Sequence, residues 1–246
     1  MARLYQQIAQ ELQYEIATGV FQLNERLPSE RVLVERFNVS RTIVREALLY
    51  LEILGLISIK TGAGATVIAK QAISDLGPDS QNVGPFELLD VRIFVESEAA
   101  YLAASRISEI ELERLRQILD DMSIENQTQT DDELADREFH LTIARASGNS
   151  ALESTVAHLW SLRSESPLLL STRDKARKNG IKPVIWHHEE ILKALERKDP
   201  RGAYAAMQSH LVWVKSAFLD STDIDSSAPT RNLNTQKIEP PKSETN

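Results

Sequence analysis

Asp136 and His140 stand four residues apart in a segment of helical periodicity, so both project from one helix face, which also carries Phe139, Ile143 and Ala144. His188 heads a stripe continued by Ile191, Leu192 and Leu195, and His210 lies between Ala203, Met207, Val214 and Ala217. Three helices thus aim four polar groups at an apolar interior. A carboxylate buried among imidazoles is costly unless the groups pair or share a cation. Three nitrogens and one oxygen make a donor set for one divalent metal ion, zinc first and nickel or manganese as alternatives, with room for a water or ligand. A hydrogen-bonded polar core is the competing reading. His187 faces about 100° away from His188 around the helix and is expected at the rim or surface. His158 has no inward-facing partner in the pattern.

A second group of residues could grip nucleic acid. Arg41, Thr42 and Arg45 are expected to be exposed near the start of a helix whose inward stripe is Val44, Leu48 and Leu51. Arginine offers a planar fork of donors that fits phosphate oxygens or the O6/N7 edge of guanine, and a helix N-terminus attracts phosphate. Arg31, near the start of the preceding helix, could reach the backbone or a base from the side. Gly62 and Gly64 allow a tight turn and a close backbone approach. Arg45→Ala is expected to abolish specific DNA binding with the fold intact. Glu46 and Glu52 read as structural or solvated rather than as contacts.

The elements that must position these residues are legible. Leu4, Ile8, Leu12 and Ile16 mark a helix that stops at Gly19; Ser29 caps a second carrying Val32, Leu33 and Phe37; Ser40 caps a third from Arg41 to about Leu54. Only Asn38, Val39 and Ser40 separate the last two, the tight turn of a helix-turn-helix. Two β-prone runs, 56–60 and 65–69, follow around a Gly-rich turn and predict a hairpin wing. Residues 71–85 are polar and Gly/Pro-containing, a linker. From Phe86 the periodicity is helical over about 86–105, 108–124, 131–147, 150–170, 183–198 and 200–220, with Asn149 and Asp199 as caps. The expected fold is mainly α, with a winged helix-turn-helix over 1–70, an antiparallel all-α bundle over 86–220 and a disordered tail over 221–246.

Composition narrows the function classes. The 246-residue chain has no cysteine, which excludes disulfides and thiolate metal sites, and its 42% hydrophobic content suffices for two cores. No leader pattern or run of ~18 apolar residues is present, so a cytoplasmic location is expected. The net charge of −8 belongs to the second part: residues 1–70 hold eight Lys/Arg against seven Asp/Glu. An acidic total therefore does not exclude a local DNA-contacting face.

The runs Leu27-Pro28-Ser29-Glu30-Arg31, Val39 through Leu48 and Leu51 through Leu56 resemble the GntR family of bacterial transcriptional regulators. That resemblance implies DNA contacts at Arg31, Ser40, Arg41, Thr42, Arg45 and Gly62. The Asp-x-x-x-His pair, the His before Ile191-Leu192 and the His of the last helix are similar to the FCD effector domain of the FadR-like subfamily. It implies a metal held by Asp136, His140, His188 and His210 under a cavity for small carboxylates, with Arg92 of an Arg-x-x-x-Glu signature (Arg92, Glu96) fixing the anion. Short strings, among them Gly84-Pro85-Phe86-Glu87-Leu88-Leu89 and Trp160 with Arg163, resemble the hexuronate-utilisation repressors. They imply galacturonate, glucuronate or a related sugar acid as effector and Arg163 as a second anchor. A homodimer on a pseudo-palindromic operator is expected. Residues 165–185, expected to help line the mouth of the pocket, match no pattern that would name the exact sugar acid. Another organic acid as effector, or a metal-dependent hydrolase fused to a DNA-binding head, stays open as an alternative.

Overall fold

The computed structural model describes residues 3–60, 62–72, 83–128 and 133–221. Most of the expected linker and nearly all of the expected tail lie outside these residues. The N-terminal part comprises α1 (Leu4–Thr18), α2 (Glu30–Phe37), α3 (Arg41–Ile53), β1 (Ile57–Lys60) and β2 (Gly64–Val67). Helix α1 buries Tyr5, Ile8, Ala9, Leu12 and Ile16 and ends at Gly19, whose φ of 83° takes the left-handed region that glycine tolerates. Leu4, expected to lead the stripe, is half exposed, and Tyr5 takes the buried position. The Oγ atoms of Ser29 and Ser40 accept from Val32 N at 3.4 Å and Ile43 N at 3.5 Å, as expected of N-caps. The strands pair antiparallel from Ile57 with Val67 to Lys60 with Gly64, so Gly64 belongs to β2 and the turn is one residue tighter than the sequence suggests.

The second part is α4 (Pro85–Ala104), α5 (Glu109–Thr128), α6 (Leu134–Ala146), α7 (Ser150–Glu165), α8 (Pro167–Lys178), α9 (Ile185–Glu196) and α10 (Pro200–Ser221). The single helix expected over 150–170 is two. Pro167 has no N–H to continue α7 and disfavours helical geometry at Ser166, yet suits the first turn of α8. Asn149 Oδ1 accepts from Ala151 N and Leu152 N, and Asp199 Oδ1 from Gly202 N at 3.0 Å, so both expected caps are made. Lys215 near the end of α10 pairs with Asp90 near the start of α4, which sets these two long helices antiparallel. Phe139, Ile143, Ile191, Leu195, Met207 and Leu211 meet in the bundle core. No helix among the described residues is long and apolar enough to cross a membrane.

The two parts interlock through α3. Its Glu46 is buried, and Oε1 accepts from Phe86 N at 3.0 Å and Glu87 N at 3.3 Å, serving donors that the first turn of α4 leaves unpaired. Gly84 leaves room beside it, since a Cβ there would lie less than 3 Å from the Glu46 carboxylate and force it to move. Leu168 of α8 is buried in the core of the N-terminal part, and Lys175 Nζ donates to Glu52 Oε2 at 2.9 Å.

Candidate functional site

Helices α6, α9 and α10 bring Asp136, His140, His188 and His210 together, with one potential ligand atom from each lying within 4.8 Å of all the others. The periodicity of three separate helices thus converges on one buried cluster. His188 Nδ1 meets Val184 O and its Nε2 meets Asp136 Oδ1, both at 2.9 Å. A neutral ring has a single N–H and can serve one of these oxygens. His140 Nδ1 pairs with Glu96, while its Nε2 and His210 Nδ1 are buried without hydrogen-bond partners among the described residues. A cation between the inward nitrogens and Asp136 would satisfy all of them, with Val184 O and Glu96 orienting the rings from behind. The donor set therefore fits a divalent ion.

The electrostatics favour the ligand-ready protonation state. Burial would raise Asp136, but the His188 hydrogen bond, the histidines and Arg163 outweigh it and hold the carboxyl well below its usual range. Burial depresses His140 despite Glu96, and burial with neighbouring positive charge takes His210 well below the ordinary histidine value. Glu96 is held at about 2, the charges of Arg92 and His140 overcoming its desolvation. An ionised Asp136 beside His140 and His210 rings that burial disfavours charging is what a metal requires. Bound metal is expected to persist at pH 7 to 8 and to be lost only well below pH ~6.5, because burial depresses His140 and His210 and protons compete for their rings later than for free histidine. Elemental analysis after dialysis across that range checks it; pH-independent retention would contradict ligation by histidine.

His187 departs from expectation. It is buried rather than at the surface, its ring 3.9 Å from Trp186, 5.0 Å from Trp213 and 5.7 Å from His210 by centroid. Burial, with His188 nearby, lowers it to about 4. The missing signal was the pair of tryptophans, on α9 and α10, that close over it. His158 is exposed, in keeping with its lack of an inward partner.

A cleft of about 480 Å³, counting its open mouth, borders the cluster, with Asp136 and His210 in its wall. Arg92 and Arg163, the two expected effector anchors, both line it, and both guanidinium groups stack on Trp160, at 4.3 and 4.4 Å from the ring centroid. Arg92 Nε donates to Glu96 Oε1 at 2.5 Å, a buried pair rather than a surface one. Arg163 Nη2 donates to Glu133 Oε2 at 2.6 Å, and its Nη1 lies 3.6 Å from Asp136 Oδ2. Sequence reasoning missed Glu133, Arg173, Arg177 and Lys182, which line the same cleft. Arg173, Arg177 and Lys182 lie in the unmatched stretch 165–185 and Glu133 just before α6, and only packing faces them toward the cleft.

At the N-terminal part, Arg31 is exposed and pairs with Glu35 at 2.9 Å. Arg41 is more than half exposed at the start of α3, where Ser40 Oγ and Thr42 Oγ1 lie 2.7 Å apart. Gly62 is exposed at the wing turn with φ 72°. Arg45 requires a correction: it is 2% exposed, its Nε donating to Glu30 Oε1 at 2.6 Å and its Nη1 to the carbonyl of Leu219 at the end of α10. The single-helix pattern placed it correctly on the face away from Val44 and Leu48, but α2 and α10 cover that face. Glu30 is itself buried and holds both Arg45 and Arg41, accepting from Arg41 Nε at 2.6 Å, so Arg45→Ala would remove one of its two guanidinium partners and empty a buried site, and a loss of DNA binding in that variant would not separate reading from stability.

Residues 4–67 match the family described as bacterial regulatory proteins, gntR family, and residues 87–212 match the FCD domain. The chain belongs to the GntR family, with an FCD domain. It is a DNA-binding transcriptional regulator rather than an enzyme. Among relatives, the Exu regulon transcriptional regulator of Escherichia coli (strain K12) is 36% identical over 91% of this chain and 87% of its own length. The Uxu operon regulator of Haemophilus influenzae is 35% identical over 91% of this chain and 85% of its own. The Uxu operon transcriptional regulator of Escherichia coli (strain K12) is 34% identical, covering 91% and 90%. Among solved structures, Streptococcus agalactiae GntR aligns over 87% of this chain and 99% of its own at 26% identity and a TM-score of 0.45. In this GntR regulator the buried cluster and most of its cleft lie within the matched FCD residues, and Arg41, Thr42 and the wing within the gntR part.

Proposed function

We propose that this regulator controls genes of sugar-acid breakdown and answers to a hexuronate, galacturonate or glucuronate, bound over a divalent ion in the FCD domain. One observation carries the reading: a buried three-histidine, one-aspartate donor set opens on a cleft walled by arginines. The names of the Exu and Uxu relatives support the sugar-acid class. Asp136, His140, His188 and His210 would hold the ion, which supplies a Lewis-acidic site for ligand oxygens. Arg92 and Arg163 lie beside it to receive the anion. Each is already balanced by a carboxylate, so each also keeps the donor set in register. Two copies would read a pseudo-palindromic operator through Arg31, Ser40, Arg41, Thr42 and Gly62, with the buried Arg45 holding α3 against α2 and the end of α10.

The decisive measurement is a thermal-shift screen of the metal-loaded protein with galacturonate, glucuronate, a small hydroxy acid and the neutral parent sugars. A ligand that binds only the folded state adds about 2.7 kcal/mol at 100 times its dissociation constant, an easily read shift. A clear shift with a hexuronate and a much smaller one with neutral sugars is expected. A shift with the hydroxy acid alone would reassign the effector, and no shift with any acid would overturn the reading. For the DNA face, Arg41→Ala is the cleaner test because its side chain is 54% exposed and its partner Glu30 keeps the buried Arg45. Loss of about 1 to 3 kcal/mol of operator discrimination is expected in a gel-shift titration. Undiminished specificity would remove Arg41 from base reading.

A further inference from the structure

The cleft holds a third arginine that differs from the two beside Trp160. Arg92 is matched by Glu96 and Arg163 by Glu133, and Glu133 also lies 3.4 Å from Arg177. Arg173 lines both the cleft at the donor cluster and its continuation along Leu88, Leu89, Leu169 and Phe218. Its side chain is 18% exposed, its neighbouring acid is the largely exposed Asp174 at 3.6 Å, and its buried Nε has no hydrogen-bond partner among the described residues. A desolvated guanidinium facing a cavity with so little compensation is poised for an anion.

The helix that carries it has a second attachment. Leu169, Arg173, Ala176 and Arg177 share the cleft-facing side of α8, whereas Leu168, Thr172 and Lys175 share the adjoining side. On that side Leu168 is buried in the N-terminal core, and Lys175 meets Glu52 of α3 at 2.9 Å. Glu52 in turn accepts from Ile59 N of β1 at 2.7 Å. A chain of direct contacts thus runs from the cleft to the DNA-binding helix and the wing.

Resting on the sugar-acid reading above, we propose that Arg173 joins Arg92 and Arg163 as a third, specificity-determining anchor of the effector's carboxylate, and that α8 transmits its engagement to α3 through Lys175 and Glu52. Arg173 thereby distinguishes an acid from the corresponding neutral sugar. The test uses the full-length, metal-loaded protein with galacturonate and galactose as probes. In calorimetric titrations, Arg173→Gln should weaken galacturonate at least about tenfold while leaving the weak response to galactose unchanged. Lys175→Gln should bind galacturonate as the wild type does, yet lose the ligand-induced change in hydrogen exchange over residues 41–60. Equal galacturonate affinity in wild type and Arg173→Gln, or equal weakening of both probes, would overturn the assignment. An undiminished exchange response in Lys175→Gln would overturn the relay. If the wild type binds no sugar acid at all, it is the sugar-acid reading that fails.

Discussion

His188→Ala is expected to lose bound metal and effector response together while binding to operator DNA without effector survives. His188 touches every part of the arrangement: Nδ1 is fixed by Val184 O, Nε2 faces Asp136, and the ring packs 4.4 Å from His210 and 4.9 Å from Phe139 by centroid. Removing it deletes one of four donors and strands Asp136, whose ionisation depends first on the His188 hydrogen bond to offset burial. Breaking a buried pair of this kind costs about 3 to 5 kcal/mol, so the bundle should also melt earlier. The core of the DNA-binding part is made of other residues, Leu12, Leu33, Leu48 and Leu51 among them, and should persist. His187→Ala is the companion variant, since His187 packs beside the cluster but is outside the donor set. It should keep its metal. Elemental analysis and gel shifts on both variants decide the matter: a metal-free wild type, or a normal effector response in His188→Ala, would reduce the four residues to a polar core.

Glu46→Gln should make the protein more stable above neutral pH and leave it nearly unchanged in mild acid. Burial, with Glu87 nearby, raises Glu46 from an ordinary 4.5 to about 7, against the lowering effect of the two backbone N–H groups it accepts from. Its folded-state pKa lies above its unfolded one, so between these values the folded state binds more protons, and stability falls as pH rises through the interval. Above pH 7 the ionised group costs about 3 kcal/mol, from a shift of about 2.5 units at 1.36 kcal/mol each. A helix N-terminus favours a carboxylate by at most ~2 kcal/mol in partly buried geometry, which does not cancel that cost. Glutamine keeps an oxygen for Phe86 N and Glu87 N and removes the charge. Urea unfolding at pH 8 and pH 5 should show a gain of up to about 3 kcal/mol at the higher pH and little at the lower. Equal effects at both values would mean that Glu46 is already ionised and paired throughout.

Much of this protein was determined by the sequence itself, through features that act within one element. Ser29, Ser40, Asn149 and Asp199 cap the helices they precede because a side-chain oxygen reaches an unpaired N–H two or three residues on. Asp136, His140, His188 and His210 were legible as inward-facing because each shares a helical period with apolar neighbours, and burying one face of each helix brings them to a common interior. Periodicity says which face of a helix turns inward, not what covers the other face. Arg45 lies on the outward face of α3 and is nonetheless buried, because Glu30 and the end of α10 close over it. His187 is turned away from His188 and is buried by Trp186 and Trp213. Glu46 and Glu52 are polar positions whose roles arise only where α3 meets α4 and α8. Arg173 carries no local signal at all: a proline break re-aims the chain after α7, and the docking of α8 between two domains turns its guanidinium toward the cleft. Local hydrogen bonding and side-chain period were written in the chain, whereas the partners of its charged residues depend on contacts between segments far apart in sequence, which only the packed structure supplies.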